Sequence, residues 1–270
     1  LTIGNNSNGT ITIAGVSSSS IPLTLNATSS GSAVSFATAA SSGLGSLTIN
    51  TGNGGAEFGV DVTTTGSLTV NSDGSISGAG ILTAAGSVSL NTTGSSNATI
   101  ASNSPLTLGD STVGGNLQIT TGGDSSLNVN GAIQTGGNAT LLADDDIIIT
   151  SAGNITTTSG NIILRADNDS NNNGSGGAIT MDQGSNFNAG TGNLTLSGDE
   201  DITLGLLTTS NSSASSITLT STNGGVRDSD TSSLDISTSG RLVADLATGF
   251  GTFENAIETS LSLIHISEPT

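Results

Sequence analysis

Oxygen ligands crowd one short stretch of this chain. In the run DNDSNNNG, Asp169, Asn171 and Asn173 stand at alternate positions and Gly174 follows them. That is how a calcium loop begins, with ligands at every second residue and a glycine for the sharp turn. Calcium takes about six to eight hard oxygens. Carboxylate, amide and carbonyl oxygens of this loop would supply them, with Asp167 and Asp182 adding charge. The twelfth position is Thr180, where such a loop carries a bidentate Glu, and helical patterning on either side is absent. In a chain so rich in Asn, Asp and Gly the same run also arises by composition. The residues therefore favour a solvated corner loop, and Asp167, Asp169, Asn171 and Asn173 stand as candidate calcium ligands.

Two acidic triplets share a different setting. Asp144-Asp145-Asp146 immediately precedes Ile147-Ile148-Ile149, and Asp199-Glu200-Asp201 immediately precedes Ile202-Thr203-Leu204. Carboxylates gathered on one edge could hold a cation or work as an acid and base pair. Intervening coils are expected to keep the triplets out of contact. The plainer reading is charged turns that block edge-to-edge association of strands.

Other chemistry is scarce. There is no Cys, Trp or Tyr, and the one His is His265. Thiol chemistry and Cys-based metal sites are thereby excluded, and so is a Ser-His-Asp triad unless His265 belongs to it. The basic residues are Arg165, Arg227 and Arg241, against 21 acidic ones, for a net charge of −18. Nucleic acid and anionic membrane both require a basic patch, so neither is an expected partner. A uronate lyase needs a base and cations to hold its substrate, and a glycosidase usually adds aromatic rings for sugar stacking. Phe36, Phe58, Phe187, Phe250 and Phe253 are the only rings, and they read as core or end plugs. The calcium nonapeptide GGxGxDxUx does not occur. Sequons at Asn26, Asn97, Asn138 and Asn193 would matter only in a eukaryotic source. No catalytic residue and no organic cofactor is assigned; calcium is the single candidate ion.

The elements that would position these groups are short strands. Triplets such as LTI at 47–49, LTV at 68–70, VSL at 88–90, LTL at 106–108, LNV at 127–129 and III at 147–149 recur, separated by Gly, Asn, Ser and Asp. Most place an apolar side chain on either side of a polar one, the period-two signature of a half-buried strand. Their starts are spaced 21, 20, 18, 21 and 20 residues apart, with further triplets at 98 and 117 between them. A period of about 20 residues with about two strands per period is a repeat architecture. With aromatics at 2% of the chain, only a thin core can be filled. The prediction is an all-β parallel solenoid of about 20 residues per coil, roughly 12 to 13 coils and about 60 Å long at the usual strand spacing. A β-sandwich array is the alternative. Longer Ser/Asn/Gly stretches at 168–177 and 208–216 are expected to leave the coils as corner loops. Segment 254–263 (ENAIETSLSL) is the one short helix candidate. No run of apolar residues is long enough for a membrane-spanning helix.

These triplets, their spacing and the Ser/Thr/Asn/Gly-rich turns resemble repeat proteins of the filamentous-haemagglutinin type over residues 1–260. The segment GRLVADLATGFGTFENAIETSLS at 240–262 is similar to a boundary element of very large surface proteins of that class. The resemblance implies a right-handed parallel β-helix exported from a Gram-negative cell, placed outside the cell or on its outer surface. It implies a structural or adhesive stalk without catalysis, meeting glycans or proteins of a host or neighbouring cell, with no membrane insertion in this segment. Solenoid repeats are then expected over 1–239 and a module boundary over 240–260. The last ten residues, 261–270, break the pattern and resemble translated sequencing adapter, so His265 is set aside. The chain is expected to be an internal fragment, since it starts within a strand-like motif and carries neither a secretion domain nor a C-terminal barrel. A polysaccharide-active β-helix enzyme and a calcium-stabilised adhesin repeat are the competing expectations.

Overall fold

A computed structural model of the chain describes residues 1–4, 7–169 and 176–264. Among them there is no helix, and every strand pairing is parallel. The chain forms a β-solenoid of 11 turns with about 22 residues per turn. Parallel pairing of each strand with its equivalent one turn later rules out the sandwich alternative.

One coil shows why the sequence folds this way. Strands Leu127–Val129, Ile133–Thr135 and Ala139–Ala143 form three sides. Alternation sends Leu127, Val129, Ile133, Ala139, Leu141 and Ala143 inward, all buried, and leaves Asn128, Gln134 and Thr140 outside. In the next coil Ile147, Ile149, Ile155, Ile162 and Leu164 repeat the inward set. Leu127 pairs with Ile147, Ile133 with Ile155 and Ala139 with Ile162. A side chain that cannot be covered within its own coil is covered by the coils above and below. The interior is one column of aliphatic side chains, and small residues suffice to fill it.

The coil is longer than the sequence spacing predicts because it has three strands and three corners, where the triplets at 98 and 117 had implied two strands. Eleven coils at ~4.8 Å per rung make a rod about 50 Å long, shorter than expected. The insertion after residue 165 does not disturb this order. Ile147–Ile149 pairs directly with Ile179–Met181, so the longer coil adds no rung to the stack; residues 170–175 of the expected corner loop lie outside the described residues. The Ser/Asn stretch at 208–216 likewise falls largely between strands Leu206–Thr209 and Ile217–Ser221.

The cross-section changes partway up. In the lower coils the third side is a separate four-stranded sheet of Ser17–Ser19, Ser41–Leu44, Val62–Thr64 and Leu82–Ala84. Above it, strand Ser87–Thr92 supports Leu106–Leu108 through Ser87 and Val88, and Ser111–Val113 through Asn91. Ala98–Ser102 lies over Ile76 through Ala98 and bridges Ile81 through Ala101. One side thus splits in two while two others merge, and the corners shift around an unbroken core. The short step of 18 residues between the triplets at 88 and 106 marks this place in the sequence.

Segment 254–263 is not helical. Thr259–Ile264 is a strand on Ile236–Leu246, because the apolar residues there have a solenoid edge to join. Strand Ile236–Leu246 itself runs across position 240 and pairs with both Leu206–Thr209 and Ile217–Ser221. Phe36 and Phe58 stack in the core with centroids 5.5 Å apart and planes 12° from parallel. Phe187 is also buried, whereas Phe250 and Phe253 are exposed. Gly160 and Gly192 mark a corner where successive coils nearly touch. A Cβ at Gly160 would collide with the backbone of Gly137, and one at Gly192 with the backbone of Gly160.

Candidate functional site

The two acidic triplets and the start of the DNDSNNNG run share one edge of the rod. Strand Ile147–Ile149 lies one rung below Ile179–Met181, which lies one rung below Ile202–Leu204. The residues just before these strands therefore stack. The Asp167 N–H points to the Asp145 carbonyl at 3.4 Å, and the Asp199 N–H donates to the Gly177 carbonyl at 3.0 Å. Gly177 has φ +96, and a Cβ there would meet Asp199 Cβ at 2.9 Å and Asp167 Cβ at 3.0 Å. Only a glycine lets the chain pass between these two aspartates.

The Ile179–Met181 rung lies between the triplets, as expected, and their charges act on one another across it. The Glu200 carboxyl is raised above its ordinary pKa by partial burial and then by the charges of Asp146, Asp199, Asp201 and Asp145. Asp167 is raised by burial, then by Asp199 and Asp169. Asp144 is raised by burial, then by Asp169. One rung lies between the triplets although the coil below it spans 32 residues, from Ile147 to Ile179.

Within this edge several carboxylates already have structural partners. Asp146 Oδ1 accepts from the Ala178 N–H at 3.0 Å, and Asp201 Oδ1 accepts from the Gly225 N–H at 2.7 Å. Asp201 Oδ2 also faces Arg227 Nε at 3.2 Å. Asp144 Oδ2 accepts from the Gly123 N–H, and Asp199 Oδ1 accepts from Thr222 and Asn223 side chains. Of the calcium-loop candidates, Asp167 and Asp169 lie here. Asn171 and Asn173 fall outside the described residues. Thr180 sits in strand Ile179–Met181, paired with Ile148 and Thr203, and Asp182 follows that strand at the next corner.

The same staple recurs along the whole rod. Asn97, Asn116, Asn138 and Asn161 each accept, through Oδ1, the backbone N–H of the equivalent residue one coil later, at 2.8 Å in every case. Asp61 and Asp110 do so for Ile81 and Ala132. In the lower coils Asn26, Asn50, Asn71 and Asn91 form a side-chain amide ladder, with contacts of 2.6, 2.8 and 3.0 Å. An Asn or Asp directly before the first inward side chain of a strand is the signal for the staple. It was present in the sequence for the acidic triplets too.

A second carboxylate group was not apparent from the sequence. Asp228, Asp235 and Glu258 each place a carboxylate oxygen within 4.8 Å of the others'. Asp228 ends strand Val226–Asp228, Asp235 precedes strand Ile236–Leu246, and Glu258 precedes strand Thr259–Ile264. Asp235 is 1% exposed and accepts the Glu258 N–H at 2.9 Å. Asp228 Oδ2 and Glu258 Oε2 are buried without a hydrogen-bond partner, as is Ser229 Oγ. The Asp235 carboxyl is pushed up to about 7, first by burial and then by the neighbouring Asp228 and Glu258. Asp235 and Glu258 are one repeat apart, which is the clue the sequence held.

One open groove follows the amide ladder. It is an open trough of about 480 Å³ lined by residues including Asn50, Asn71, Asn91, Asp73, Thr92 and Thr112. No helix of the described residues is long and apolar enough to cross a membrane. Comparison with protein-family models, with curated proteins and with solved structures finds no match to this chain. The class defined on its own geometry is a parallel β-solenoid repeat protein.

Proposed function

We propose that this chain is a structural rod, a spacer or stalk segment of a large adhesin of the filamentous-haemagglutinin type, lying outside the cell or on its outer surface and performing no catalysis. The observation that carries this reading is the stapled stack. Asn and Asp side chains tie each coil to the next along the rod, which favours stiffness over a shaped cavity. The outward strand positions are mostly Thr, Ser and Asn, side chains suited to weak, repeated contact with glycans or proteins of a neighbouring cell. A net charge of −18 keeps such rods apart in solution and disfavours nucleic acid as a partner.

The test is to insert the chain between a surface anchor and a fluorescent tip and measure the tip's height. The spacer reading expects the tip to rise by about 50 Å, the length of eleven rungs at ~4.8 Å each. Release of unsaturated or reducing ends from a polyuronate or neutral polysaccharide by the purified chain would replace this reading with the enzyme alternative.

A further inference from the structure

We infer that Asp228, Asp235 and Glu258 form a binding site for one hard divalent cation, calcium by its ligand chemistry, which ties the last coils of the described rod together. The inference does not depend on the spacer reading.

Three separate strand ends supply the ligands, so an ion here would cross-link three chain segments. Their oxygens lie within 4.8 Å of one another. Two oxygens on opposite sides of a calcium ion at about 2.4 Å each are about 4.8 Å apart, so the group falls within one ion's span; magnesium usually takes only one or two carboxylates and keeps several waters. The second observation is the state of the oxygens. Asp228 Oδ2 and Glu258 Oε2 are buried and accept from no donor, and Asp235 beside them is 1% exposed. Buried carboxylate oxygens normally find a donor, because leaving one unsatisfied carries its whole desolvation cost. The other oxygens are already used in ways that fix the geometry. Asp228 Oδ1 accepts from the Asp230 N–H at 2.8 Å, and Asp235 Oδ2 accepts from the Glu258 N–H at 2.9 Å. Ser229 Oγ, buried without a partner, is a neutral oxygen adjacent in the chain to Asp228.

Two of the described arginines direct their Nε groups elsewhere. Arg227 Nε faces Asp201 at 3.2 Å, and Arg241 Nε donates to the Ala214 carbonyl at 2.6 Å. Three carboxylates held this close, with Asp235 buried and Asp228 and Glu258 half-buried, repel one another when ionised. Either protons or a cation must offset that repulsion. Calcium does so while accepting water into its remaining positions.

The test uses the full chain. Calcium titrated calorimetrically at about pH 8, where protons no longer compete, is expected to bind, and millimolar calcium is expected to raise the thermal midpoint by several degrees over a chelator. Both effects should disappear in Asp235→Asn and Glu258→Gln and persist in Asp199→Asn on the acidic edge. The unmutated chain gives an independent readout. Manganese should broaden the amide signals of Ser229, Ile236 and Glu258 before those of Gly123 and Gly177. No calcium heat and no midpoint shift at that pH would overturn the site. So would binding that survives both substitutions, or broadening that begins at Gly123 and Gly177.

Discussion

Asn161 Oδ1 accepts the Asn193 N–H at 2.8 Å across a coil of 32 residues, the same distance as Asn138 to Asn161 across 23. The staple does not register how much chain the coil contains. What matters is that an amide oxygen at the start of one strand meets the N–H at the start of the strand above. Asn161→Ala leaves that N–H without its acceptor, and the expected cost is about 1 kcal/mol. Urea unfolding of the variant beside the parent chain checks it. An unchanged midpoint would reduce the staple to an accompaniment of the fold.

The core makes a sharper demand. Leu141 is fully buried, stacked between Ile119 and Leu164 in adjoining coils. Leu141→Ala should cost about 2–5 kcal/mol, since a column one side chain wide has little freedom to collapse on the void. Gln134, outward on a neighbouring side, is the control. Gln134→Ala should change stability by no more than about 0.5 kcal/mol. Denaturant titration of the pair separates an aliphatic interior from a loosely associated coil.

Gly160 tests the closeness of the coils. The atoms a new Cβ would meet are backbone atoms of Gly137 and Asn138, which cannot rotate out of the way as a flexible side chain could. Gly160→Ala should therefore destabilise by about 1–3 kcal/mol, the range for overpacking. Gly94, where a Cβ would meet nothing within 4 Å but φ is +61, should respond more mildly to alanine. Thermal unfolding of both variants gives the comparison.

The carboxylate group at the upper end imposes a direction on pH dependence. Asp235 has an ordinary value of 3.8 and stands at about 7 in the folded chain, raised first by burial. Between those values the unfolded chain has released this proton while the native chain still holds it. Native protein binds more protons, so stability falls as pH rises through that window and levels off above it. Asp144, Asp167 and Glu200, also raised, act in the same direction. Without divalent cations, the parent chain should have a higher urea midpoint near pH 5 than near pH 8. Asp235→Asn should flatten the difference. A parent chain more stable at the higher pH would contradict the assignment.

The solenoid was legible because its signal is repeated. Leu47, Leu68, Leu127 and Ile147 each open a strand whose alternate residues point inward, and no tertiary accident hides that. The third side was harder to read. Val62–Thr64, Ser111–Val113 and Ile155–Thr157 contain one aliphatic each, and Thr64, Ser111 and Thr157 complete their inward face. Period-two hydropathy alone does not mark such strands. The stacking of the acidic triplets was legible from their shared place at the entry to a strand, and one rung lies between them. Asp228, Asp235 and Glu258 are harder to read because Glu258 meets the other two only after a further coil has closed, and none sits in a local motif.

Thr99, Gln118, Thr140, Ile163, Thr195 and Thr218 follow one another rung by rung along one outer face. Nitroxide labels at positions 99 and 218 should therefore give a single narrow distance near ~24 Å by double electron–electron resonance, plus the tether lengths, at ~4.8 Å per rung. A broad distribution, or a peak far from that value, would contradict the stacked rod on which the whole account stands.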